Sequence, residues 1–301
     1  MTNSAPRTAL LTTVTMISFA ANSILARLAL RQGEIDAGTF TAVRIVSAAV
    51  GLALVLGFSG EKLSTLRGHG SWRAASALFV YAAAFSFAYL SLEAGTGALI
   101  LFAAVQITMI SVGIKRGERP LPSEWIGLAM ALGGLAYLVS PGLAASPAPP
   151  LIGATLMAVS GMAWGFYSLA AKGARSPVAA TASNFTRAAP MAVAILIGVW
   201  VAERPRASWL GLELALISGA ITSGLGYVIW YMALRGLTAS RAAIIQLTVP
   251  VLAAFAGVLF LAEQMTLRLA LAGAAILGGV ALALVGHSAG RGLRKHWSRR
   301  Q

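Results

Sequence analysis

Tyr227, Trp230 and Tyr231 recur at the i, i+3, i+4 spacing that puts three side chains on one face of an α-helix. Trp164, Tyr167 and Ser168 repeat the pattern, and Tyr81, Phe85 and Tyr89 recur at four-residue steps. Such a face can hold a planar or bulky apolar group by offset stacking, each ring pair contributing ~0.5–1.5 kcal/mol. The other reading of aromatic residues in apolar runs is a belt at the membrane surface. Trp72, Trp125, Trp200 and Trp209 stand at run ends and fit that reading. Three amides, Asn22, Gln106 and Gln246, lie within apolar runs. An amide buried there unpaired costs ~2–7 kcal/mol, so each bonds to another helix, to water or to a ligand. Facing a ligand, the amides suit the amino and carboxyl groups of a zwitterion. Arg44 and Arg187 are the basic residues well inside apolar runs, each at a cost of at least ~2.5 kcal/mol near a membrane centre. Either they cap carbonyls at a neighbouring helix end, or they clamp a substrate carboxylate or latch a gate.

Other chemistries find no support. No GxxxxGK[ST] stretch occurs, so there is no phosphate-cradling loop for ATP. His69, His287 and His296 fall at or beyond run ends and form no metal-ligand cluster. Cys is absent, which excludes disulfides and thiolate chemistry. No cofactor or metal is expected. The nine carboxylates all fall between apolar runs or near their ends. Proton-driven pumps usually keep an ionisable carboxylate inside the membrane, so a facilitator or exchanger running down a substrate gradient fits better. No buried acid–base pair or nucleophile is present, so an enzyme is not expected.

These residues need helices in lipid to position them. The chain has 301 residues, 58% of them hydrophobic and 11% charged, against ~25% charged in a soluble domain. So few charges could not cover a soluble fold of this size. The sequence therefore predicts an all-α membrane protein. A span takes ~20 apolar residues, and ten runs qualify: 8–30, 38–58, 72–93, 96–114, 121–140, 150–171, 177–200, 208–234, 240–262 and 267–287. The first run continues past a possible cleavage site near Ala20–Ala21 and reads as a retained helix.

The net charge of +14 sits in short segments between runs, so it reads as a topology signal and not as a nucleic-acid surface. With the N-terminus cytoplasmic, sixteen basic residues fall inside: Arg7, Lys62, Arg67, Arg73, Lys115, Arg116, Arg119, Lys172, Arg175, Arg235, Arg241, Arg291, Arg294, Lys295, Arg299 and Arg300. Arg27, Arg31, Arg204, Arg206 and Arg268 fall outside. That asymmetry predicts both termini in the cytoplasm of a cell with its inner, or plasma, membrane crossed many times. The tail Arg291–Arg300 is basic enough to touch anionic lipid.

Ser140–Leu151 carries four prolines and no charge, the composition of a connector. The half of the chain before it resembles the half after it. FTAVR (Phe40–Arg44) matches NFTRA (Asn184–Ala188), and FAANSILAR (Phe19–Arg27) matches WGFYSLAAK (Trp164–Lys172). LEAGT (Leu92–Thr96) matches LRGLT (Leu234–Thr238), and the fifth and tenth runs are both rich in Gly and Ala. The chain thus divides into a first repeat, 1–142, a Pro-rich linker, 143–150, a second repeat, 151–287, and a basic tail, 288–301. Five spans per repeat is an odd number, so the copies must be inverted, with a substrate site expected at their interface near mid-membrane. Pro190, Pro250, Gly224 and Gly226 lie inside runs as flex points or as static bends. Small residues at Gly127, Ala131, Ala270, Ala274 and Gly278 permit close helix contact, as scaffold or as a seam between copies of a monomer or weak homodimer.

Five plus five helices, the LxxxT turns, and a ninth run bearing Thr248–Pro250 and ending LAEQMT before LAGAAILGGVALALV together resemble the EamA-type members of the drug/metabolite transporter superfamily. The resemblance covers nearly the whole chain. Within the superfamily the chain looks most like the YddG-type exporters of aromatic amino acids. Gln106–Thr108 departs from the Thr-Pro often found at that place in the first half. The resemblance implies alternating access, export from the cytoplasm, and a central cavity lined by the first, third, fourth, sixth, eighth and ninth helices. The expected activity is secondary export of small organic solutes, most of all amino acids with aromatic or large apolar side chains. Broader metabolite or drug export is the alternative.

Overall fold

Several helices in this chain begin where a side-chain oxygen can take up the first free N–H groups. The structure is a computed structural model. It describes residues 5–59, 63–117, 121–139, 149–171, 174–202, 205–264, 266–268, 270–279 and 281–282. The Asp36 carboxylate accepts from the Thr39 N–H at 2.7 Å and starts α2 (Ala37–Phe58), which follows α1 (Ala5–Arg31). Ser71 starts α3 (Trp72–Ala88) in the same way, after a 3₁₀ turn at Leu63–Gly68. Then come α4 (Ala94–Lys115), α5 (Pro122–Val139), α6 (Leu151–Ala171) and α7 (Pro177–Ala202). Ser208 caps α8 (Trp209–Leu234). Thr238 caps α9, which runs as Ala239–Gln246 and Thr248–Leu261 before α10 (Ala270–Gly279).

Helix therefore covers part of each predicted run. Among the described residues, seven stretches are long and apolar enough to cross a membrane: α1, α2, α4, α6, α7, α8 and Arg241–Leu261 of α9. The third run is shorter than predicted. The N–H groups of Ser91 and Leu92 turn back to the Ala88 carbonyl and end α3 well before residue 93. The end of the tenth run, most of the Pro-rich connector and the basic tail lie outside the described residues.

The packing is inverted relative to a soluble protein. Arg44 is 1% exposed, while Phe58 and Val201 are 89% and 84% exposed. Trp72, Trp125, Trp200 and Trp209 are exposed at helix ends, whereas Trp164 and Trp230 are buried.

Two helices depart from regular α geometry. Ser218–Leu225 of α8 winds as a π-helix between α-helical segments Trp209–Ile217 and Gly226–Leu234. The sequence led us to expect only local loosening at Gly224 and Gly226. The wider turn instead lays a glycine-lined face on α2. A Cβ at Gly219 would collide with Ser47 Oγ and the Arg44 carbonyl oxygen. A Cβ at Gly224 would touch Ala48 at 3.6 Å. In α9 the break falls at Leu247, because Pro250 has no N–H to bond the Gln246 carbonyl four residues earlier. Pro250 thus sits in the first turn of a new segment, where its missing N–H costs nothing. Pro190 lies within α7, which continues as helix to Ala202.

The small residues of α5 and α10 meet within one chain. A Cβ on Gly279 would strike the Gly127 carbonyl oxygen, and one on Gly134 would meet the Ala272 carbonyl oxygen at 3.0 Å. The seam is scaffold, and the close approach uses Gly279 and not the expected Gly278, whose Cβ would make only ordinary contact with Met130.

Gly219→Ala should lower the melting point in detergent, with an overpacking cost of ~1–3 kcal/mol. Gly198→Ala in α7, where a Cβ meets nothing within 4 Å, should leave it unchanged or raise it. Thermal unfolding of the two variants in parallel checks this.

Candidate functional site

α3, capped by Ser71 and Tyr89, is ~25 Å long at 1.5 Å per residue, and its ends and middle mark three polar layers. The middle layer is built around Arg44, on the face of α2 that the π segment of α8 approaches. Its Nε donates to Ser223 Oγ at 2.9 Å, and its Nη2 donates to the hydroxyls of Tyr81 at 2.9 Å and Tyr227 at 2.8 Å. The two tyrosine hydroxyls also bond each other at 2.9 Å. Nη1 has no hydrogen-bond partner among the described residues. The guanidinium lies 5.2 Å from the Tyr81 ring centre and 4.8 Å from that of Phe85, a cation–π arrangement. Asn22 of α1 joins the layer. Its carbonyl oxygen accepts from Ser218 and Thr222 of the π segment, and its amide reaches the Tyr81 hydroxyl at 3.5 Å.

The predicted aromatic faces meet here. Trp164 is the hub, with ring centres of Tyr227 at 4.6 Å, Tyr81 at 4.9 Å and Tyr167 at 5.5 Å. Phe85 lies 5.6 Å from Tyr81, and Tyr231 5.5 Å from Tyr167. Trp230 enters through Phe19, at 5.8 Å, and donates its N–H to Ser168 at 3.2 Å. Gln246 accepts the Trp164 N–H at 2.8 Å, so it orients the central ring. Sequence reasoning passed over two members. Phe19 stands edge-on to Trp164 at 5.1 Å, and Phe185 stacks on Tyr227 at 5.8 Å. Phe19 sits three residues before Asn22 and thus on its face of α1, a spacing that marks it in hindsight.

Gln106 differs from Gln246 although Gln106-Ile-Thr108 and Gln246-Leu-Thr248 read alike. Both of its amide atoms are buried without a hydrogen-bond partner among the described residues. The first-half residue aligned with Trp164 is Phe19, which has no N–H to give.

The cavity implied by the family resemblance is filled with side chains in this conformation. Between Phe19, Ser23, Tyr81, Phe85, Leu101, Phe102 and Trp164 the space open to the centre of a water molecule is ≈ 10 Å³, about one water. The rings pack on one another and exclude a ligand.

Each end of the bundle is tied. At the α3 N-terminus, Asn184 Oδ1 accepts the Ser71 N–H at 3.0 Å, and Ser183 donates to the Leu66 and His69 carbonyls at 2.8 and 2.6 Å. Arg187 belongs to this layer and not to the centre. It donates to the His69 carbonyl at 2.8 Å and contacts Ser183 Oγ. The two symmetric arginines thus do different work: Arg187 caps carbonyls of the 63–70 turn, and Arg44 lies in the middle.

At the other end, Ala262 adopts left-handed backbone (φ 53°), ends α9 and turns Glu263 inward. Glu263 accepts the Ala94 N–H at 3.1 Å and pairs with Arg27 at 3.8 Å, while Arg27 donates to the Tyr89 carbonyl at 3.0 Å. Nearby, the loops before α2 and α8 join. Ser208 N–H bonds the Glu34 carbonyl at 2.7 Å, and Asp36 bonds the Arg206 backbone through both its N–H and its carboxylate. Burial pushes the Glu263 carboxyl above the ordinary carboxylate range, opposed by the Ala94 N–H and by Arg27.

An apolar exterior and, among the described residues, seven span-length helices packed around buried polar side chains define a multi-span membrane protein. The chain belongs to the EamA-like transporter family, whose model matches residues 6–140 and again residues 151–285. Members of that family are transporters and not enzymes. An uncharacterized protein of Pseudomonas aeruginosa, PA1977, is 50% identical over 278 residues, covering 92% of this chain and 94% of that one. The uncharacterized transporter YoaV of Bacillus subtilis is 25% identical over 248 residues, covering 80% and 85%. A solved crystal structure with 20% identity has the same fold, with a TM-score of 0.69 over 91% of this chain and 98% of that one.

The raised Glu263 carboxyl makes a testable pH dependence. The folded state holds this proton more tightly than the unfolded chain does, so the unfolded state binds fewer protons across the window between the two values. Stability should therefore fall as pH rises from the ordinary carboxylate range through the raised value, then level off. Melting curves of the wild type at a series of pH values should show this slope, and Glu263→Gln should flatten it.

Proposed function

We propose that the protein is an inner-membrane secondary transporter that exports small organic solutes by alternating access, first among them amino acids with aromatic or large apolar side chains. The observation that carries this reading is the central aromatic cluster around Trp164 and Arg44, sealed at both ends by separate polar ties. A solute that takes the place of ring–ring contacts needs one end open at a time. The ties are few and made of hydrogen bonds and one ion pair, so each can open without unpacking the apolar core. In this reading ten spans form two inverted five-helix repeats, with 143–150 joining them. Arg44 and Ser223 then bond across the two repeats, and so do Asn184 and Ser71.

Flexing is assigned to the π segment with Gly224 and Gly226, to the α9 break before Pro250, and to Pro190. With both termini cytoplasmic, the Asn184–Ser71 layer is the inner gate and the Arg27–Glu263 layer the outer gate. The single chain is the transporting unit, alone or as a weak homodimer.

Counterflow of radiolabelled phenylalanine and tryptophan into proteoliposomes, with and without a pH gradient, tests the reading. Uptake of a cationic dye with no response to either amino acid would replace it with broader drug export. Trp164→Ala and Tyr227→Ala should lower flux at equal expression, by roughly two- to tenfold for each stacking partner lost. Trp164→Phe should retain more flux than Trp164→Ala. Orientation is open to a direct check, because the chain has no cysteine. An impermeant maleimide added to intact cells should label Gln32→Cys and spare Gly68→Cys, both exposed positions. The reverse pattern would invert the topology.

A further inference from the structure

Among the described residues, Arg44 carries a charge with no counter-charge. Its side chain is fully buried, yet every oxygen it meets belongs to a neutral hydroxyl: Ser223, Tyr81 and Tyr227. Both N–H groups of Nη1 are unspent. The carboxylates among the described residues stand elsewhere. Glu34, Asp36, Glu93 and Glu263 gather at the outer-gate end, Glu124 bonds the Leu121 N–H at the start of α5, and Glu213 is exposed. An isolated buried cation is costly in a low-dielectric interior, and that cost is relieved when an anion arrives. Contrast Arg187, whose donors are taken by carbonyl and hydroxyl oxygens. The two arginines sit in matching stretches of sequence, but Arg187 is only half-buried, whereas the unspent donors of Arg44 are shut away from water.

We propose that Arg44 is the anion anchor of the transport site, so that the substrate class is small organic carboxylates and a carboxylate, not an amino group, is what the site requires. The inference rests on the transporter reading above and narrows it.

The guanidinium lies against the Phe85 and Tyr81 rings, and both rings also line the small central space beside Trp164. A carboxylate held by Nη1, and by Nη2 once a tyrosine hydroxyl gives way, leaves an attached apolar group among those rings. Binding then competes with the Arg44–Tyr227 bond between α2 and α8, which ties solute entry to release of a contact across the site. An ammonium group finds the opposite conditions. It meets a fixed positive charge, and the Asn22 amide oxygen beside it already accepts from Ser218 and Thr222. Carboxylates without an amino group should bind at least as well as the matching amino acid, and amines should not bind.

Three probes of one shape separate these cases: phenylpropionate, phenylalanine and phenethylamine. In thermal-shift titrations of the full-length wild type in detergent, phenylpropionate should stabilise at least as well as phenylalanine, and phenethylamine should give no shift. Arg44→Gln should weaken phenylpropionate binding by about tenfold or more, the loss expected for a hydrogen bond to a charged group. Arg44→Lys should keep a preference for the acid over the amine. Phenethylamine binding the wild type as tightly as phenylpropionate overturns the proposal, and so does a folded Arg44→Gln that keeps its affinity for phenylpropionate. The wild-type series stands even if a variant fails to fold. Flux in proteoliposomes separates the two levels. Carboxylate binding without flux leaves the anchor and removes the transporter. Flux of the amine in preference to the acid leaves the transporter and removes the anchor. No binding and no flux for any probe overturns both.

Discussion

A guanidinium buried in a lipid-facing bundle has to be held by something, and in this protein three helices are shaped around holding one. Arg44 comes from α2, Tyr81 from α3, and Ser223 and Tyr227 from α8. These donors and acceptors converge because α2 and α8 touch backbone to backbone. That approach depends on Gly219 having no side chain and on the π turn that presents it. The π segment, the glycines and the arginine are one arrangement. The widened turn also frees Ser218 and Thr222 to bond Asn22, so α1 is recruited to the same layer.

Around this polar centre the aromatic rings supply shape and the amides supply orientation. Gln246 fixes Trp164, and Ser168 fixes Trp230. Both indole N–H groups are thereby satisfied within the protein, which removes the penalty of placing them among apolar helices. The ring faces are left to one another in the closed form. The conformation is accordingly tight at the middle and tied at both ends. The energies differ in kind: the centre is held by packing and a buried cation, while the ends are held by a handful of hydrogen bonds and a partly buried ion pair.

The transport reading and the anchor reading draw on different features of the same layer. The first uses the polar ties at both ends of this bundle and its membership of a family of transporters. The second uses one unpaired guanidinium nitrogen, Nη1 of Arg44, and the lack of an acid beside it among the described residues. A solute with an anionic end and an apolar body satisfies both features at once, since it neutralises the cation and replaces ring–ring contact by ring–solute contact.

Much of this could be read along the chain. Apolar runs fixed where helices lie, and Asp36, Ser71, Ser208 and Thr238 fixed where four of them start, since capping depends on atoms three residues away. The shared faces of Tyr81 and Phe85, and of Tyr227, Trp230 and Tyr231, come from helical periodicity alone. Periodicity names a face but not what lies opposite it. Only the folded bundle decided that Arg44 is central while Arg187 caps a turn, although the two sit in matching sequence. The 63–70 turn folds back on α7, and no local pattern announces it. Tertiary packing likewise chose a π-helix over a loosened α-helix in α8, and it gave Gln246 a tryptophan partner while leaving the similar Gln106 unpaired. Those outcomes turn on side chains far apart in sequence, whose distances exist only once the helices have packed.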